Sequence, residues 1–413
     1  KIKGFVSEMG VQTVLCRHQN SDKSDEFWNS LLTSKNNELP RITIDQDSDF
    51  AVMYTSGSTG HPKGVVMTHR GAISTLMSWH FGLRVLDVMG LGPVPYVDKN
   101  NQPYQPCQLD SVPFFHVSGT HGGLLLALWS GTKLVIMKKW DPPEAVRLIE
   151  LEKVSRFGGV PTMAAEILGE AKKVGAKLES IRLIDTGGAA RPADQAREMA
   201  ESIPNVLTGT SYGMTETNAL GIAIRGKEYL ENPEVTGRLI APLAEMRIVD
   251  EFDNDVEIGD VGELVLKSAA NMRCYLNKDA ETSEVLKDGW LYTGDLAKID
   301  KNELITLVDR KKNIIIRGGE NISAQEVQTV ILEHPGVIEA AIFALPNERL
   351  GEIVGACVFC GETSNADEDS LKEFLRKSLA AYKIPEHIWF KKKPLPRVAS
   401  EKIDVEALKK EYS

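Results

Sequence analysis

Between about residue 50 and residue 225, short apolar runs alternate with longer stretches whose apolar residues recur at helical spacing. The apolar runs include "KLVIM" and "IRLIDTGG", and the helical stretches include "AVRLIELEK", "MAAEILGEAKKVG" and "ADQAREMAESI". Alternating strand and helix signals of this kind are typical of a sheet covered by helices. The pattern therefore predicts an α/β fold for this part of the chain.

The pattern changes twice after residue 225. From 235 to 310 short strands alternate with turns, which predicts a β-rich, barrel-like subdomain without helices. Beyond 312 a helix with a capping box, Ser323 with Glu326, precedes two strands, a second helix and the strand "HIWF". This order fits a small βαββαβ-like domain. Because 413 residues exceed a single hydrophobic core, two or more domains are expected.

Charge, cysteine content and hydropathy restrict the class of protein. The formal net charge of −10 argues against a general nucleic-acid binder. Five scattered cysteines are too few for a disulfide framework and indicate a reducing compartment, so a cytoplasmic location is expected. The longest apolar stretch, "GGLLLALWSG", is far too short to span a bilayer. The sequence leaves the oligomeric state open, a homodimer among the options.

The stretch "YTSGSTGHPKG" (54–64) places hydroxyls, glycines and one lysine between two apolar runs. Such a loop turns sharply and can aim amides, hydroxyls and a cation at one phosphate, although most Gly/Ser/Thr loops are solvated turns. It is not a Walker loop, because Pro62 and Gly64 replace the required glycine and the Mg-binding hydroxyl. The residues that we assign to phosphate binding are Thr55, Ser56, Gly57, Ser58, Thr59, Gly60 and Lys63.

Four later stretches carry residues suited to a nucleotide. In "SYGMTET", Tyr212 can stack on a flat ring, the hydroxyl of Thr215 can reach a phosphate, and Glu216 can hold Mg²⁺. Asp295 in "YTGD" can accept hydrogen bonds from ribose hydroxyls. "DRKKNIIIRGGENIS" combines cations with a double glycine, and "PRVASEKID" sets Lys402 in a C-terminal loop. Each stretch alone is weak, because polar turns and loop lysines are usually solvated.

Together, these stretches resemble the motifs of the adenylate-forming superfamily, which includes acyl- and aryl-CoA synthetases, luciferases and peptide-synthetase adenylation domains. The matching motifs are "YTSGSTGHPKGVVMTH", "PFFHVSG", "GGAA", "SYGMTE", "GELVLKS", "GWLYTGD", "DRKKNIIIRGGENI" and the terminal "EKI", from about residue 40 to the end. The resemblance implies a large N-terminal domain (1–310), a small mobile α+β domain (313–413) and a hinge near 311–312. Because family members carry a longer segment ahead of the phosphate loop, we expect the front of the large domain to be missing.

The resemblance also implies a reaction, AMP-forming acyl-CoA synthesis. A carboxylic acid would attack the α-phosphate of ATP to form acyl-AMP, and CoA would take the acyl group after the small domain rotates. ATP, Mg²⁺ and CoA are the expected cofactors. Small residues suggest a slot that favours a medium- or long-chain fatty acid, with an aryl acid next. They are Gly187, Gly188, Ala189, Gly209 and Ser211. The alternatives are a ligase that loads a carrier protein and a catalytically impaired nucleotide-binding homologue.

Roles for individual residues follow from the same resemblance. Lys402 would bridge the carboxylate and the α-phosphate, and His116 would lie near the carboxylate and the thiol entrance. Lys312 would be the hinge, and Gly318 and Gly319 would line the pantetheine tunnel. The nucleotide contacts would be Ser56, Ser58, Thr59 and Lys63 on the β- and γ-phosphates, Thr215 on the α-phosphate, Glu216 on Mg²⁺, Asp295 with Arg310 on ribose, and Tyr212, Gly187, Gly188 and Ala189 on adenine, with Ser211 and Gly213 in the same site.

One position departs from the family pattern. Glu401 stands where a glycine normally precedes the terminal lysine, and its carboxylate can pair with Lys402 or repel the incoming acid. We therefore expect slower adenylation than in a Glu401→Gly variant. Equal rates of pyrophosphate exchange would show that the departure is silent.

Overall fold

The structure is a computed structural model that describes residues 41–55, 62–187, 193–361, 364, 366–398 and 402–412. Residues 1–45 and 46–413 form two units, and the features below belong to the second. Several sequence predictions fall outside the described residues. They concern Ser56, Gly57, Ser58, Thr59, Gly60, Gly188, Ala189, Glu401 and the side chain of Lys312.

The predicted α/β region forms a sheet with seven strands among the described residues, in the order β4-β3-β5-β6-β7-β8-β9. Neighbours from β4 to β7 are parallel, and β8 and β9 continue the sheet antiparallel. Parallel neighbours need crossover connections, which explains the alternation of strand and helix signals. The strands are β3 (Cys107–Asp110), β4 (Lys133–Ile136), β5 (Arg156–Gly159), β6 (Leu183–Gly187), β7 (Leu207–Tyr212), β8 (Ile222–Arg225) and β9 (Arg238–Leu239).

Helices precede or connect these strands and bury one face of the sheet. Leu109, Phe157 and Ile184, from three neighbouring strands, form the centre of this core with apolar residues of the helices. The side chain of Asp141 caps one helix by accepting from the amide of Glu144 at 3.0 Å. The helices are α1 (His69–Val88), α2 (Leu126–Ser130), α3 (Pro142–Glu152), α4 (Pro161–Val174), α5 (Ala193–Ser202) and α6 (Gly226–Glu231), and a π-helical segment, Ser118–Leu125, precedes α2.

Two antiparallel sheets follow the β-rich pattern. One contains β1 (Asp49–Thr55), β2 (Lys63–Thr68) and β12 (Cys274–Tyr275). The other contains β10 (Ala244–Val249), β11 (Gly262–Ser268), β13 (Leu286–Lys287), β14 (Trp290–Ile299) and β15 (Ile305–Arg310). The prediction that 235–310 lacks helices is wrong, because α7 spans Asp279–Val285. This helix buries no residue, so it leaves no apolar periodicity in the sequence.

The C-terminal region forms a further sheet in the order β17-β16-β19-β18, with β20 parallel to β19. The predicted cap is present, since the hydroxyl of Ser323 accepts from the amide of Glu326 at 3.0 Å. The predicted order of strands and helices holds from β17 onward, and β16 is an additional strand. The elements are β16 (Ile314–Arg317), β17 (Glu320–Ser323), α8 (Ala324–Leu332), β18 (Val337–Asn347), β19 (Gly351–Cys360), α9 (Glu368–Leu375), β20 (His387–Lys391) and α10 (Val405–Tyr412).

Helices cover both faces of this C-terminal sheet. Val327 and Leu371 lie in the core on one face, and Leu408 of α10 lies in the core on the other. The division of the chain at 311–312 into a large domain and a small mobile domain stays a prediction. Among the described residues, no helix combines the length and the apolar character needed to cross a membrane.

Candidate active site

The two ends of the predicted phosphate loop lie side by side. Strands β1 and β2 are antiparallel neighbours in which Thr55 pairs with Lys63. The ammonium of Lys63 lies 4.8 Å from the ring centroid of Tyr275. Tyr275 belongs to β12, which pairs with β2 at Val65. The lysine of the loop is therefore positioned by an aromatic ring on the neighbouring strand.

The same tyrosine reaches the predicted metal ligand. Its hydroxyl donates a hydrogen bond of 2.9 Å to Oε1 of Glu216, which is buried in the short turn that follows β7. Burial and the carboxylate of Glu216 raise the pKa of Tyr275, so the phenol stays protonated and able to donate. Lys63 and Glu216 thus meet at the face and the hydroxyl of one ring, which brings a cation and a carboxylate to the same place.

Glu216 fits magnesium only in company with phosphate. Among the described residues no group of three His, Cys, Asp or Glu side chains is arranged to hold a metal ion. Magnesium is commonly bound by one or two carboxylates together with substrate phosphates. A single buried carboxylate beside Lys63 and the end of the phosphate loop matches that arrangement.

Two residues predicted to bind the nucleoside, Tyr212 and Arg310, contact a third, the buried carboxylate of Asp295. Strand β14 pairs with β15 so that Asp295 lies opposite Arg310, whose Nε is 2.9 Å from Oδ1. The hydroxyl of Tyr212 donates to Oδ2 at 2.6 Å. Burial, followed by the charge of Asp295, raises the pKa of Tyr212. Segments more than eighty residues apart in the chain, those of Tyr212 and Asp295, are therefore joined by direct contacts.

Lys402 lies near this corner although it belongs to the C-terminal region. Lys402 as a whole is exposed to solvent. Protein atoms around its ammonium group remove water from it, and this desolvation lowers the pKa of Lys402. The charge of Arg310 lowers the pKa further, whereas the charge of Asp295 raises it. High exposure within dense surroundings is expected of a residue that lines a cleft. The charges of the residues predicted to bind ribose therefore act on the tail lysine.

The loop that carries Lys402 is held by a buried carboxylate. Arg397 and Ile403 form a bridge, and the carbonyl of Lys402 accepts from the amide of Val398 at 2.9 Å. Glu339, only 6% exposed, accepts from the amide of Leu395 at 2.6 Å and forms an ion pair with Arg397. These contacts fix both the approach to the loop and its return.

His116 is a further residue on which the charge of Lys402 acts. It lies between β3 and the π-helical segment, and burial, followed by the charge of Lys402, lowers its pKa. The ring is therefore neutral near pH 7, and its Nε2 is buried without a hydrogen-bond partner among the described residues. Asp110, at the start of this loop, is buried, and burial raises its pKa to about 6.

Gly187 and Gly209 of the predicted acyl slot, and Gly213 of the predicted nucleotide site, each lie where a side chain would meet a neighbouring segment. A Cβ on Gly187 would lie 2.6 Å from the carbonyl oxygen of Ser211 on the paired strand, and one on Gly213 would lie 2.3 Å from the carbonyl oxygen of Ala219. A Cβ on Gly209 would lie 2.6 Å from Cγ of Arg225. The expectation that Gly209 opens a slot is wrong, because the side chain of Arg225 takes that space.

The predicted hinge and tunnel residues lie where the C-terminal sheet begins. Gly318 and Gly319 form the turn between β16 and β17 with φ of 60° and 91°, in the region that favours glycine. Just before the hinge, the buried carboxylate of Asp309 accepts from the hydroxyl of Ser323 at 2.8 Å and from the amide of Gln325 at 2.9 Å. The N-terminus of α8 is thus attached to the strand on the other side of Lys312.

Comparison with known proteins bears on this geometry. The family model described as AMP-binding enzyme matches residues 4–276, and the model of the AMP-binding enzyme C-terminal domain matches residues 326–402. The chain belongs to the AMP-binding enzyme family. Within the adenylate-forming superfamily it falls in the acyl-CoA synthetase branch. The resemblance and the α/β fold class predicted from the sequence are confirmed.

Individual relatives of this AMP-binding enzyme include several CoA ligases. A feruloyl-CoA synthase of Amycolatopsis sp is 31% identical over 90% of this chain and 72% of its own length. A long-chain-fatty-acid–CoA ligase of Bacillus subtilis (strain 168) is 30% identical over 91% and 64%, respectively. The o-succinylbenzoate CoA synthetase of Bacillus subtilis, in complex with ATP and magnesium ion, is similar in structure with a TM-score of 0.76 and 26% identity, covering 98% of this chain and 81% of that chain.

Three residues of the site were not found from the sequence. Tyr275, which joins Lys63 to Glu216, follows an arginine and a cysteine and carries no recognisable spacing signal. Asp309 was seen only as part of a basic motif. Glu339 did offer a signal, because it is a lone carboxylate within the apolar run "VIEAAIFAL", and a buried carboxylate needs partners.

Proposed function

We propose that this AMP-binding enzyme is an AMP-forming acyl-CoA synthetase that activates an aryl carboxylic acid with ATP and transfers it to CoA. One observation carries the proposal. Tyr212 and Arg310 contact the two oxygens of the buried Asp295, and the charges of Arg310 and Asp295 act on the ammonium of Lys402, which belongs to the C-terminal region.

The first half-reaction needs positive charge, because a carboxylate must attack a phosphate that is itself anionic. Lys402 supplies a compact cation on a flexible stem and would neutralise both reactants. Lys63 and the hydroxyls of the phosphate loop would hold the β- and γ-phosphates. Magnesium, held by Glu216 together with those phosphates, would neutralise the charge that accumulates on the leaving pyrophosphate.

The nucleoside would be held from the opposite side. Asp295 would accept from the ribose hydroxyls, oriented by Tyr212 and Arg310, which already contact both carboxylate oxygens. The neutral ring of His116 would lie beside the carboxylate of the acid, with Thr215 at the α-phosphate. For thioester formation the C-terminal region would rotate about Lys312, withdrawing Lys402 and bringing Gly318 and Gly319 to the pantetheine arm.

The choice of acid rests on the space near the end of β7. The sequence favours a fatty acid, but Cγ of Arg225 lies where a side chain on Gly209 would begin, so Gly209 adds no room for an alkyl chain on that side. A flat ring requires less depth. Relatives include a feruloyl-CoA synthase and 4-coumarate–CoA ligases as well as a long-chain-fatty-acid–CoA ligase, so an aryl acid is compatible with the family. A role in fatty acid metabolism and a cytoplasmic location stay predictions.

The proposal is tested with a panel of carboxylic acids, ATP, magnesium and CoA, following AMP release and thioester formation. We expect AMP and thioester in equal amounts with at least one aryl acid, and a lower kcat/KM with medium- and long-chain fatty acids. Adenylation without thioester, rescued by an acyl carrier protein, would identify the carrier-loading alternative. Failure of every acid to drive pyrophosphate exchange would instead identify an impaired homologue.

A further inference from the structure

An ion pair crosses the face of the seven-stranded sheet that is opposite the main core. Asp185 of β6, Gly209 of β7 and Arg225 of β8 are paired in register, so they share one face of the sheet. Nε of Arg225 donates to Oδ2 of Asp185 at 3.0 Å, and Nη2 donates to the same oxygen. The arginine reaches its partner across Gly209, where a side chain would block it.

The loop of His116 covers the same face. Leu109 pairs with Phe157 and Gly158 pairs with Asp185, so Asp110 has its side chain on the face that carries the ion pair. The carboxylate of Asp110 packs on Gly123, where a Cβ would lie 2.0 Å from Oδ2. Gly123 belongs to the π-helical segment that begins two residues after His116. The ion pair and the contact between Asp110 and Gly123 therefore lie on one face of the sheet.

The pair also lies directly below the predicted acyl site. Gly187 and Ser211 are paired with each other two residues nearer the carboxyl ends of their strands, on the same face as Asp185 and Gly209. Two residues along a strand span about 7 Å. An acid whose carboxylate lies between Lys402 and His116 would therefore direct its tail along this face, and the tail would meet Arg225.

Arg225 has hydrogen-bonding capacity left over. Its Nε and Nη2 are engaged by Asp185, whereas Nη1 has no hydrogen-bond partner among the described residues. The side chains of Arg225 and Asp185 are each 21% exposed, so the pair is accessible but largely enclosed. A plain alkyl tail would cover these donors without satisfying them, which is unfavourable.

We propose that the Asp185–Arg225 pair determines specificity by binding a neutral oxygen substituent, a hydroxyl or an ether, at the end of the acid remote from its carboxylate. The inference rests on the proposed function and narrows its substrate class. A neutral oxygen gains a charge-assisted hydrogen bond from Nη1. A second carboxylate would instead compete with Asp185 for one guanidinium and leave a net negative charge in an enclosed place.

The experiment compares matched acids in ATP–pyrophosphate exchange with the full chain. Cinnamic, 4-hydroxycinnamic, 4-methoxycinnamic and 4-carboxycinnamic acids share one ring and differ only at the remote end. We expect the kcat/KM of the hydroxy and methoxy acids to exceed that of cinnamic acid by about 10- to 100-fold. In the double variant Arg225→Met/Asp185→Asn the ratio falls to about 1, and Arg225→Lys gives an intermediate ratio.

The ratio between two acids cancels any loss of folded protein, so a merely structural role of the pair would leave it unchanged. Arg247→Met/Asp255→Asn removes an ion pair of 2.7 Å from the five-stranded sheet and serves as the matched control, with the wild-type ratio expected. The inference is overturned by any of three results: a wild-type ratio near 1, an unchanged ratio in the double variant, or a preference for the 4-carboxy acid. In each case, pyrophosphate exchange with cinnamic acid would still support the proposed function. No exchange with any acid removes both.

Discussion

Two regions of the candidate site differ in how their polar groups are satisfied. The nucleotide corner contains Lys63, Tyr212, Glu216, Tyr275, Asp295 and Arg310, and the loop that starts at the end of β3 contains Asp110, Ser111 and His116. Lys402 interacts electrostatically with both. In the corner, both oxygens of Asp295 have partners, and Glu216, Tyr275 and Lys63 form a chain of contacts. In the loop, Oδ2 of Asp110, Oγ of Ser111 and Nε2 of His116 are buried without a hydrogen-bond partner among the described residues.

This difference matches what each region has to recognise. ATP presents the same ribose and phosphates in every turnover, so a set of side chains already fixed by mutual contacts costs little to organise. The acid varies between members of such a family, and unsatisfied groups beside it gain when a substrate arrives. We infer that the corner is organised before binding and that the loop is completed by the substrate.

The largest effect is expected from Lys402, which serves both regions. Lys402→Ala removes the cation between two anionic reactants and should lower the rate of acyl-AMP formation about 10²- to 10³-fold. Thioester formation from supplied acyl-AMP should change less than about threefold, because rotation would withdraw this lysine. Pyrophosphate exchange and single-turnover thioester formation measure the two steps separately.

Lys393→Ala provides the control, since Lys393 is an exposed lysine before the same loop. It should leave both steps unchanged. Equal losses of both steps in Lys402→Ala would contradict the division of labour. The lowered pKa of Lys402 also predicts a pH dependence. Because its ammonium loses its proton at a lower pH than that of an ordinary lysine, the rate of adenylation should decline as pH rises through that pKa. The rate of the thioester step should not decline.

The corner is tested by Asp295→Asn. Removing the charge that Arg310 and Tyr212 orient should raise KM for ATP about 10- to 100-fold, because a hydrogen bond to a charged acceptor is lost. The KM for the acid should change far less, since the proposed site of the acid is on the loop side. Asp300→Asn, in the exposed turn after the same strand, is the matched control. A rise in the KM of the acid alone would reverse the assignment of the two regions.

The sequence predicted most of the fold because its signals were local. Alternation of strand and helix, the cap at Ser323 and the strand flanks of the phosphate loop all depend on neighbouring residues. Helix Asp279–Val285 was missed because it buries no residue. At the site, motifs predicted Lys63, Glu216 and Asp295. The need for glycine at position 209 was not predicted, because it depends on Arg225, which is paired with Gly209 from another strand. The register of strand pairing cannot be read from composition.

The unsatisfied loop is tested through the titration of Asp110. Burial raises its pKa from the ordinary range to about 6, so the folded state favours the neutral carboxyl. As pH rises from about 4 to about 6, the carboxyl of Asp110 ionises in the unfolded chain but stays neutral in the folded protein, so the free energy of unfolding falls. Above about pH 6 the carboxyl ionises in both states, and the free energy of unfolding changes no further on its account. Asp110→Asn should therefore gain on the order of 1–3 kcal/mol relative to the wild type between pH 4 and pH 7.

Denaturant titrations of both proteins at pH 4, 5, 6 and 7 measure this difference. Asn100→Ala, at an exposed residue that carries no titratable group, is the control and should show no pH-dependent difference from the wild type. If the difference in the free energy of unfolding between Asp110→Asn and the wild type does not depend on pH, Asp110 is ionised in the folded state. It would then already have a partner without a substrate.

The smallest effect is expected from Tyr275→Phe, which keeps the ring under Lys63 and removes only the hydroxyl that reaches Glu216. Loss of one hydrogen bond to a partly enclosed carboxylate should raise the magnesium concentration needed for half-maximal pyrophosphate exchange about threefold to tenfold. Tyr104→Phe, at an exposed tyrosine, should leave it unchanged. Tyr275→Leu removes the ring as well and should add a rise in KM for ATP, because the cation–π contact with Lys63 is lost. If Phe and Leu at this position behave alike, the ring does not position the lysine, and the organisation of the corner before binding depends on the hydroxyl alone.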